Sequence, residues 1–174
     1  MTRIHGYVRF SYLGRSDARA SRNGLSDAER AAVIYAPLRM AQRFYLFEHI
    51  CLPSLCAKTH KDFRIVLLAS PEMPEPDRHR LQRLAATLPQ AEVLFSQADS
   101  VVEALNPVIK EVTERAKGLT FHFRLDDDDA ISTAAIATMD RYCDIAVPDE
   151  LLTFPRGFLL AGNPGGGDTT YAQV

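Results

Sequence analysis

Short runs of β-branched and aromatic residues alternate along the chain with longer stretches in which apolar residues recur at helical spacing. The short runs cover residues 4–14, 62–69, 91–96 and 119–125. Polar residues, Gly or Pro bound these runs, so the pattern predicts four strands. A further run, 150–162, has the composition of a strand but is interrupted by Pro155 and Gly157.

The intervening stretches predict helices over residues 38–57, 70–89, 100–118 and 131–143. Within the first of them, Pro53 is expected to kink or end the helix. Residues 15–30 are polar and contain Asn-Gly, which favours a loop. The alternation of strands and helices predicts an α/β fold, with helices on both faces of a mostly parallel sheet and one domain over residues 1–174.

The composition narrows the class of protein. Hydrophobic residues make up 47% of the chain and charged residues 24%, which is typical of a folded soluble domain. The formal net charge is only -2, and the basic residues are scattered along the chain. The charge pattern therefore predicts no nucleic-acid partner.

Three cysteines, Cys51, Cys56 and Cys143, lack the spacing of a zinc site, and an odd number suits no disulfide framework. We expect core or near-core thiols in a reducing compartment. The first ten residues lack the apolar segment of a signal peptide, and no run approaches the roughly 20 apolar residues of a membrane span. The sequence predicts a cytoplasmic protein without a transmembrane segment and leaves peripheral membrane contact open.

Four consecutive aspartates, residues 126–129, follow the last predicted strand before the chain returns to apolar residues. Adjacent carboxylates repel one another unless solvent or a cation offsets their charge. Ligands of open α/β sheets bind at the carboxyl ends of strands, and Mg²⁺ or Mn²⁺ commonly bridges one or two carboxylates to a diphosphate. The residues alone leave two interpretations open, a divalent-metal site and a solvated acidic turn.

An extended segment would place Asp126 and Asp128 on one side, where both can meet one ion, while Asp127 points elsewhere. Substitution of Asp127 should then matter less for metal binding. Asp129 either ligates through water or caps the next helix. Arg124 lies on the same side of the strand as Asp126, where it could bind phosphate, although a neutralising ion pair is the simpler interpretation.

Three other features have plain structural interpretations. His122 lies in an aromatic strand, which favours a core histidine with satisfied hydrogen bonds. Arg43 is expected on a solvated helix face. The Gly-rich segment 162–168 lacks the Lys-Ser/Thr ending of a phosphate-binding loop, which favours a flexible tail.

Several motifs occur in a recognisable order over residues 7–160. They are "RFSYLG", "RFYLFEHICLPSL", "SPEMPE", "RLDDDDAI" and "FPRGF". In type and order they resemble those of the bacterial rhamnosyltransferase group of GT-A-type glycosyltransferases. The resemblance implies an inverting glycosyltransferase that moves a sugar, with rhamnose as one candidate, from a nucleotide-sugar donor to a carbohydrate acceptor.

The same resemblance implies a Mn²⁺ or Mg²⁺ cofactor on the donor diphosphate and assigns roles by position. The metal ligands it implies are Asp126, Asp128 and Asp129, and the nucleotide-side residues are Arg9, Phe10 and Ser11. In the wider group an acid follows the second strand, whereas this chain has "ASPE" at residues 69–72.

The resembling enzymes place the acceptor half and the catalytic base further downstream, so no base is assigned in this chain. We therefore expect the chain to bind donor but to transfer sugar poorly. Two alternatives remain open from the sequence. One is a metal-dependent nucleotidyltransferase or phosphohydrolase that uses the same aspartates, and the other is a non-catalytic nucleotide-sugar-binding module.

Overall fold

The computed structural model describes residues 2–14, 24–154, 157–161 and 170–173 of the chain. Its main sheet has four parallel strands in the order β3-β2-β1-β4. Their bounds are β1 (Ile4–Arg9), β2 (Arg64–Ala69), β3 (Ala91–Phe95) and β4 (Phe121–Asp126). The predicted α/β fold is confirmed as a Rossmann-like arrangement.

Six α-helices lie in the described ranges. They are α1 (Asp27–Ile34), α2 (Pro37–Leu46), α3 (Leu52–Cys56), α4 (Glu75–Ala85), α5 (Val101–Arg115) and α6 (Ala135–Tyr142). Of the predicted strand material at 150–162, the described residues form one strand, β5 (Phe158–Ala161), which pairs antiparallel with β6 (Thr170–Gln173). The Gly-rich segment 162–168 lies outside the described residues.

Apolar side chains cover both faces of the main sheet. On one face, Val8 and Ile65 belong to a core that includes Phe44 of α2, Leu81 of α4 and Ile136 of α6. The opposite face packs against α5 in a smaller cluster, which contains Tyr7, Val66, Leu68, Ala104 and Leu105. Because β1 and β2 are covered from both sides, their sequences read as nearly continuous apolar runs.

The predicted helix over 38–57 is helical throughout but is divided into three parts. Between α2 and α3 lies a π-helical turn, Phe47–Cys51. Pro53 has no N–H to donate, and its ring would clash with the carbonyl four residues earlier in a regular helix. The wider turn before Pro53 relieves this conflict, so the proline accompanies a bulge and does not end the helix.

Several predicted boundaries were wrong, among them the end of β1, which is Arg9 and not residue 14, and the start of α4, which is Glu75 and not residue 70. Helix α1 begins inside the segment 15–30 that was predicted as a loop, and residues 15–23 lie outside the described part of the chain. Ser26 and Glu29 form a reciprocal capping box that starts α1. The helix predicted from 131 begins at Ala135, with Ala134 at its N-cap, so Asp129 does not cap it.

All three cysteines are free thiols, and Cys51 and Cys143 are buried as predicted. Cys56 is exposed at the end of α3, so its assignment to the core was wrong. Within the described ranges, we find no helix that combines the length and apolar character needed to cross a membrane.

The prediction of a satisfied histidine at position 122 is confirmed. His122 is hydrogen-bonded to the Tyr7 hydroxyl at 2.9 Å and to Thr120 Oγ1 at 2.9 Å, and its ring stacks on His5 at 5.5 Å. Burial is the main cause that lowers the pKa of both histidines, and for His122 the neighbouring His5 lowers it further.

The stacked histidines predict that the protein loses stability on mild acidification. Because their pKa values are lowered in the folded state, the unfolded chain binds more protons as the pH falls below about 6.5. The free energy of unfolding should therefore decrease from pH 6.5 downward, as measured by urea denaturation. His122→Gln should reduce this slope, whereas His79→Gln, at an exposed site on α4, should retain it. Equal slopes in all three proteins would contradict the interpretation.

Candidate functional site

The strand order creates a crevice between β1 and β4. The chain moves from β1 outward to β2 and β3, and then returns to place β4 on the other side of β1. Strands that neighbour one another at such a reversal separate their following loops, and α/β sheets bind ligands at this point. Arg9 and Asp126 are register partners at the carboxyl ends of the two strands, so both lie at the mouth of this crevice.

The aspartate run is a turn and not an extended segment. Strand β4 ends at Asp126, and the backbone N–H of Asp129 donates to the carbonyl of Asp126 at 3.1 Å. Asp127 and Asp128 are therefore the central residues of the turn, and the strand alternation used to pair Asp126 with Asp128 does not apply to them. A turn directs consecutive side chains apart, which reduces the repulsion between their carboxylates.

Arg43 of α2 binds two carboxylates of this turn. Its Nε donates to Asp127 Oδ2 at 3.1 Å, its Nη2 contacts Asp127 Oδ1, and its Nη1 donates to Asp128 Oδ2 at 2.9 Å. The Asp127 side chain is 0% exposed and that of Arg43 is 24% exposed. The prediction that Arg43 lies on a solvated face was wrong, because it is the cation that compensates the buried member of the aspartate run.

Asp126 faces two other arginines without bonding to them closely. Its Oδ1 lies 3.7 Å from Arg9 Nη2 and 3.9 Å from Arg124 Nε. This oxygen is buried, and no group within the described ranges forms a hydrogen bond with it. Arg124 forms the loose ion pair anticipated from the sequence, with its own side chain 65% exposed. An oxygen in this condition can accept a further cationic or protic ligand, because burial without a partner costs free energy.

The carboxylates of Asp126, Asp128 and Asp129 act on one another through space. Burial, followed by the charges of Asp128 and Asp126, raises the pKa of Asp129 above its ordinary value. In the portion of the chain that is described, no three His, Cys, Asp or Glu side chains converge as a ready-made metal site. A Mg²⁺ ion held by one or two carboxylates and substrate phosphates does not require three, so the unpartnered Asp126 oxygen fits such an ion.

Lys58, directly after α3 and overlooked from the sequence, fixes the segment that follows the acidic turn. Its buried Nζ donates to the carbonyls of Ile131 at 2.5 Å and Ser132 at 2.8 Å. The backbone N–H of Thr59 donates to the carbonyl of Thr133 at 3.2 Å. Burial lowers the pKa of Lys58 to about 8. These bonds attach the segment after the acidic turn to the residues that follow α3.

The end of β1 divides into three environments. Arg9 is partly exposed beside Asp126. Phe10 is 0% exposed and packs against the rings of Phe44 and Phe47. Any ligand contact of Phe10 must therefore involve its backbone. Ser11 is buried with a φ of 45°. L residues other than Gly adopt this left-handed conformation rarely and at a cost.

Arg39 of α2 reaches the same strand end. Its Nη1 donates to Ser11 Oγ at 3.2 Å and to the carbonyl of Ile34. Burial lowers the pKa of Arg39, and the charges of Arg43 and Arg9 lower it further. Arg39 and Arg43 are four residues apart, so they lie on the same face of α2. This spacing is the signal in the sequence from which both could have been predicted to lie at one site.

A family model described as "Putative rhamnosyl transferase" matches residues 3–160, which is most of the chain. The chain belongs to this family. Its match extends from the start of β1 through the acidic turn to β5, so both halves of the crevice lie within it. Among proteins with curated descriptions, none matches the chain.

Membership of the rhamnosyl transferase family identifies the protein as a transferase and implies a sugar donor and an acceptor. The family description says nothing of individual residues. The crevice between β1 and β4 therefore remains a candidate site on its geometry. The residues there that the sequence predicted are Arg9, Ser11, Arg124, Asp126, Asp128 and Asp129. The structure adds Arg39, Arg43 and Lys58.

Arg43→Met is predicted to destabilise the protein strongly, because it leaves the Asp127 carboxylate buried without its cation. Loss of one partner of a buried pair typically costs about 3–5 kcal/mol, and we expect about 3 kcal/mol here since Arg43 is partly exposed. Lys110→Met on α5 removes an exposed pair with Glu114 and should cost at most about 1 kcal/mol.

Chemical denaturation of the two variants and of Arg43→Met/Asp127→Leu measures these differences. The double variant should recover part of the loss, because the buried carboxylate is removed with its partner. An Arg43→Met variant as stable as Lys110→Met would contradict the role assigned to the pair.

Proposed function

We propose that this rhamnosyl transferase family member transfers a sugar from a nucleotide-sugar donor to a carbohydrate acceptor with inversion at the anomeric carbon. The donor would bind in the crevice between β1 and β4. One observation carries this proposal: the topological switch point of the sheet holds an acidic turn and several arginines together. Phosphate groups and their counterions require both kinds of charge within one site.

The proposed cofactor is Mn²⁺ or Mg²⁺, with Asp126 and Asp128 as ligands and Asp129 close by. Asp126 Oδ1, which has two loose arginine neighbours but no hydrogen bond from the described residues, supports this assignment. Asp127 is unsuitable because Arg43 holds both of its oxygens. When bound, the ion would supply Lewis-acid stabilisation of the departing diphosphate. Water and donor phosphates would complete its coordination.

The protein's own residues provide positioning and charge. Arg43 fixes the acidic turn against α2, and Lys58 fixes the segment that follows. Arg9 and Arg124 lie on either side of Asp126 within reach of an anion bound at the crevice. Cations placed where negative charge develops on a leaving group lower the barrier, because they need little reorganisation during the reaction.

The metal assignment predicts that Asp126→Asn/Asp128→Asn loses metal-dependent donor binding and remains folded. A panel of nucleotide sugars with and without Mn²⁺ should raise the melting temperature of the wild-type protein by mass action. The double variant should show no Mn²⁺-dependent rise. Glu111→Gln/Glu114→Gln removes two exposed carboxylates from α5 and should behave as the wild type.

Asp127→Asn serves as a second comparison. It should reduce stability, because Asp127 is buried against Arg43, yet retain the metal-dependent shift. An unchanged Mn²⁺-dependent shift in Asp126→Asn/Asp128→Asn would contradict the assignment. A parallel assay of sugar transfer and of NTP consumption tests the reaction class, and consumption of NTP without sugar transfer would contradict a glycosyltransferase.

A further inference from the structure

Four arginines surround the crevice, and three of them have carboxylate neighbours. Arg9 and Arg124 lie within 4 Å of Asp126, and Arg43 binds Asp127 and Asp128. Arg39 differs from them, because no carboxylate of the described residues lies within ion-pair distance of its guanidinium. The other titratable groups that act on its pKa are Arg43 and Arg9, which lower it, and Tyr35, which raises it.

The hydrogen bonds of Arg39 leave part of its guanidinium available. Both of its protein acceptors, Ser11 Oγ and the carbonyl of Ile34, bind through Nη1. The groups Nε and Nη2 have no acceptor in the parts of the chain that the structure covers. They form one edge of the planar fork, which suits two oxygens of a phosphate group.

Ser11 forms a hydrogen bond with Arg39 at the strand end, and Ser11 itself has an unfavourable backbone conformation. Its φ of 45° places a buried, non-glycine residue in the left-handed region, which is unfavourable for an L residue with a side chain. Residues of this kind cluster at ligand sites. The Ser11 hydroxyl accepts from Arg39 Nη1, so the strained residue is also the one that orients the unpaired cation.

We propose that Arg39, oriented by Ser11, binds the diphosphate of the nucleotide-sugar donor directly through Nε and Nη2. This inference rests on the proposed function for the identity of the donor. Arg39 is half-buried among other cations, and a phosphate is the partner that would offset this charge. In this arrangement the diphosphate lies between the two sides of the crevice. It contacts guanidinium groups on the side formed by β1 and α2, and it faces the acidic turn on the side formed by β4.

The test measures binding of inorganic pyrophosphate and of a panel of nucleoside diphosphates, by calorimetry, with and without Mn²⁺. Arg39→Gln should weaken binding of both probes about 10- to 100-fold, the range expected for loss of a charge-assisted hydrogen bond. Arg39→Lys should give an intermediate loss, since it keeps the charge but lacks the fork. Ser11→Ala should weaken binding less than Arg39→Gln does.

Arg83→Gln on α4 is the matched control, because it removes an exposed arginine away from the crevice and should bind as the wild type. Circular dichroism and melting temperature report folding, and the lysine variant keeps the test valid if the glutamine variant does not fold. Unchanged affinity in both Arg39 variants, or no binding of either probe by the wild type, would overturn the inference. Diphosphate binding that depends on Arg39, accompanied by consumption of NTP in place of sugar transfer, would instead reject the proposed function alone.

Discussion

A guanidinium–carboxylate pair, Arg43 with the buried Asp127, determines where the acidic turn lies. Four consecutive carboxylates would repel one another at a sheet edge, and one of them has no access to solvent. The α2 arginine compensates that charge and reaches on to Asp128. Because α2 also packs Phe44 into the core, the hydrophobic face of the helix and its cation position the turn together.

Most cations at the crevice come from different elements than the carboxylates. The β1 end and α2 contribute Arg9, Arg39 and Arg43, while the end of β4 and the turn after it contribute the carboxylates and one further arginine, Arg124. Under the proposed function, this combination of charges would suit an anion that carries its own divalent counterion, such as a metal-bound diphosphate.

The sequence was sufficient to predict the strands of the main sheet, because β1 and β2 are buried on both faces. Such strands appear in a sequence as nearly continuous apolar runs. Helix α1 was missed because it buries no residue, so hydrophobic periodicity carried no signal, although the Ser26 and Glu29 capping box was visible. The π-helical turn before Pro53 reflects local backbone geometry that periodicity does not encode.

The place of the aspartates in the fold was predicted, but their contacts were not. Their position after a predicted strand put them at the carboxyl edge of the sheet, since that follows from chain order alone. The bond of Arg43 to Asp127 joins residues 84 positions apart and depends on how α2 crosses the sheet, which no local pattern reveals. The turn geometry of the aspartates was also missed, because the strand was assumed to continue through them.

A crystal structure of the protein with a nucleoside diphosphate and Mn²⁺ would test the central claim most directly. We expect an anomalous manganese peak about 2.0–2.3 Å from an Asp126 oxygen, and diphosphate oxygens within about 3 Å of Arg39 in the crevice between β1 and β4. Diphosphate bound away from that crevice, for example in the cavity beside the outer edge of β4 that Phe121 and Leu152 line, would contradict the account.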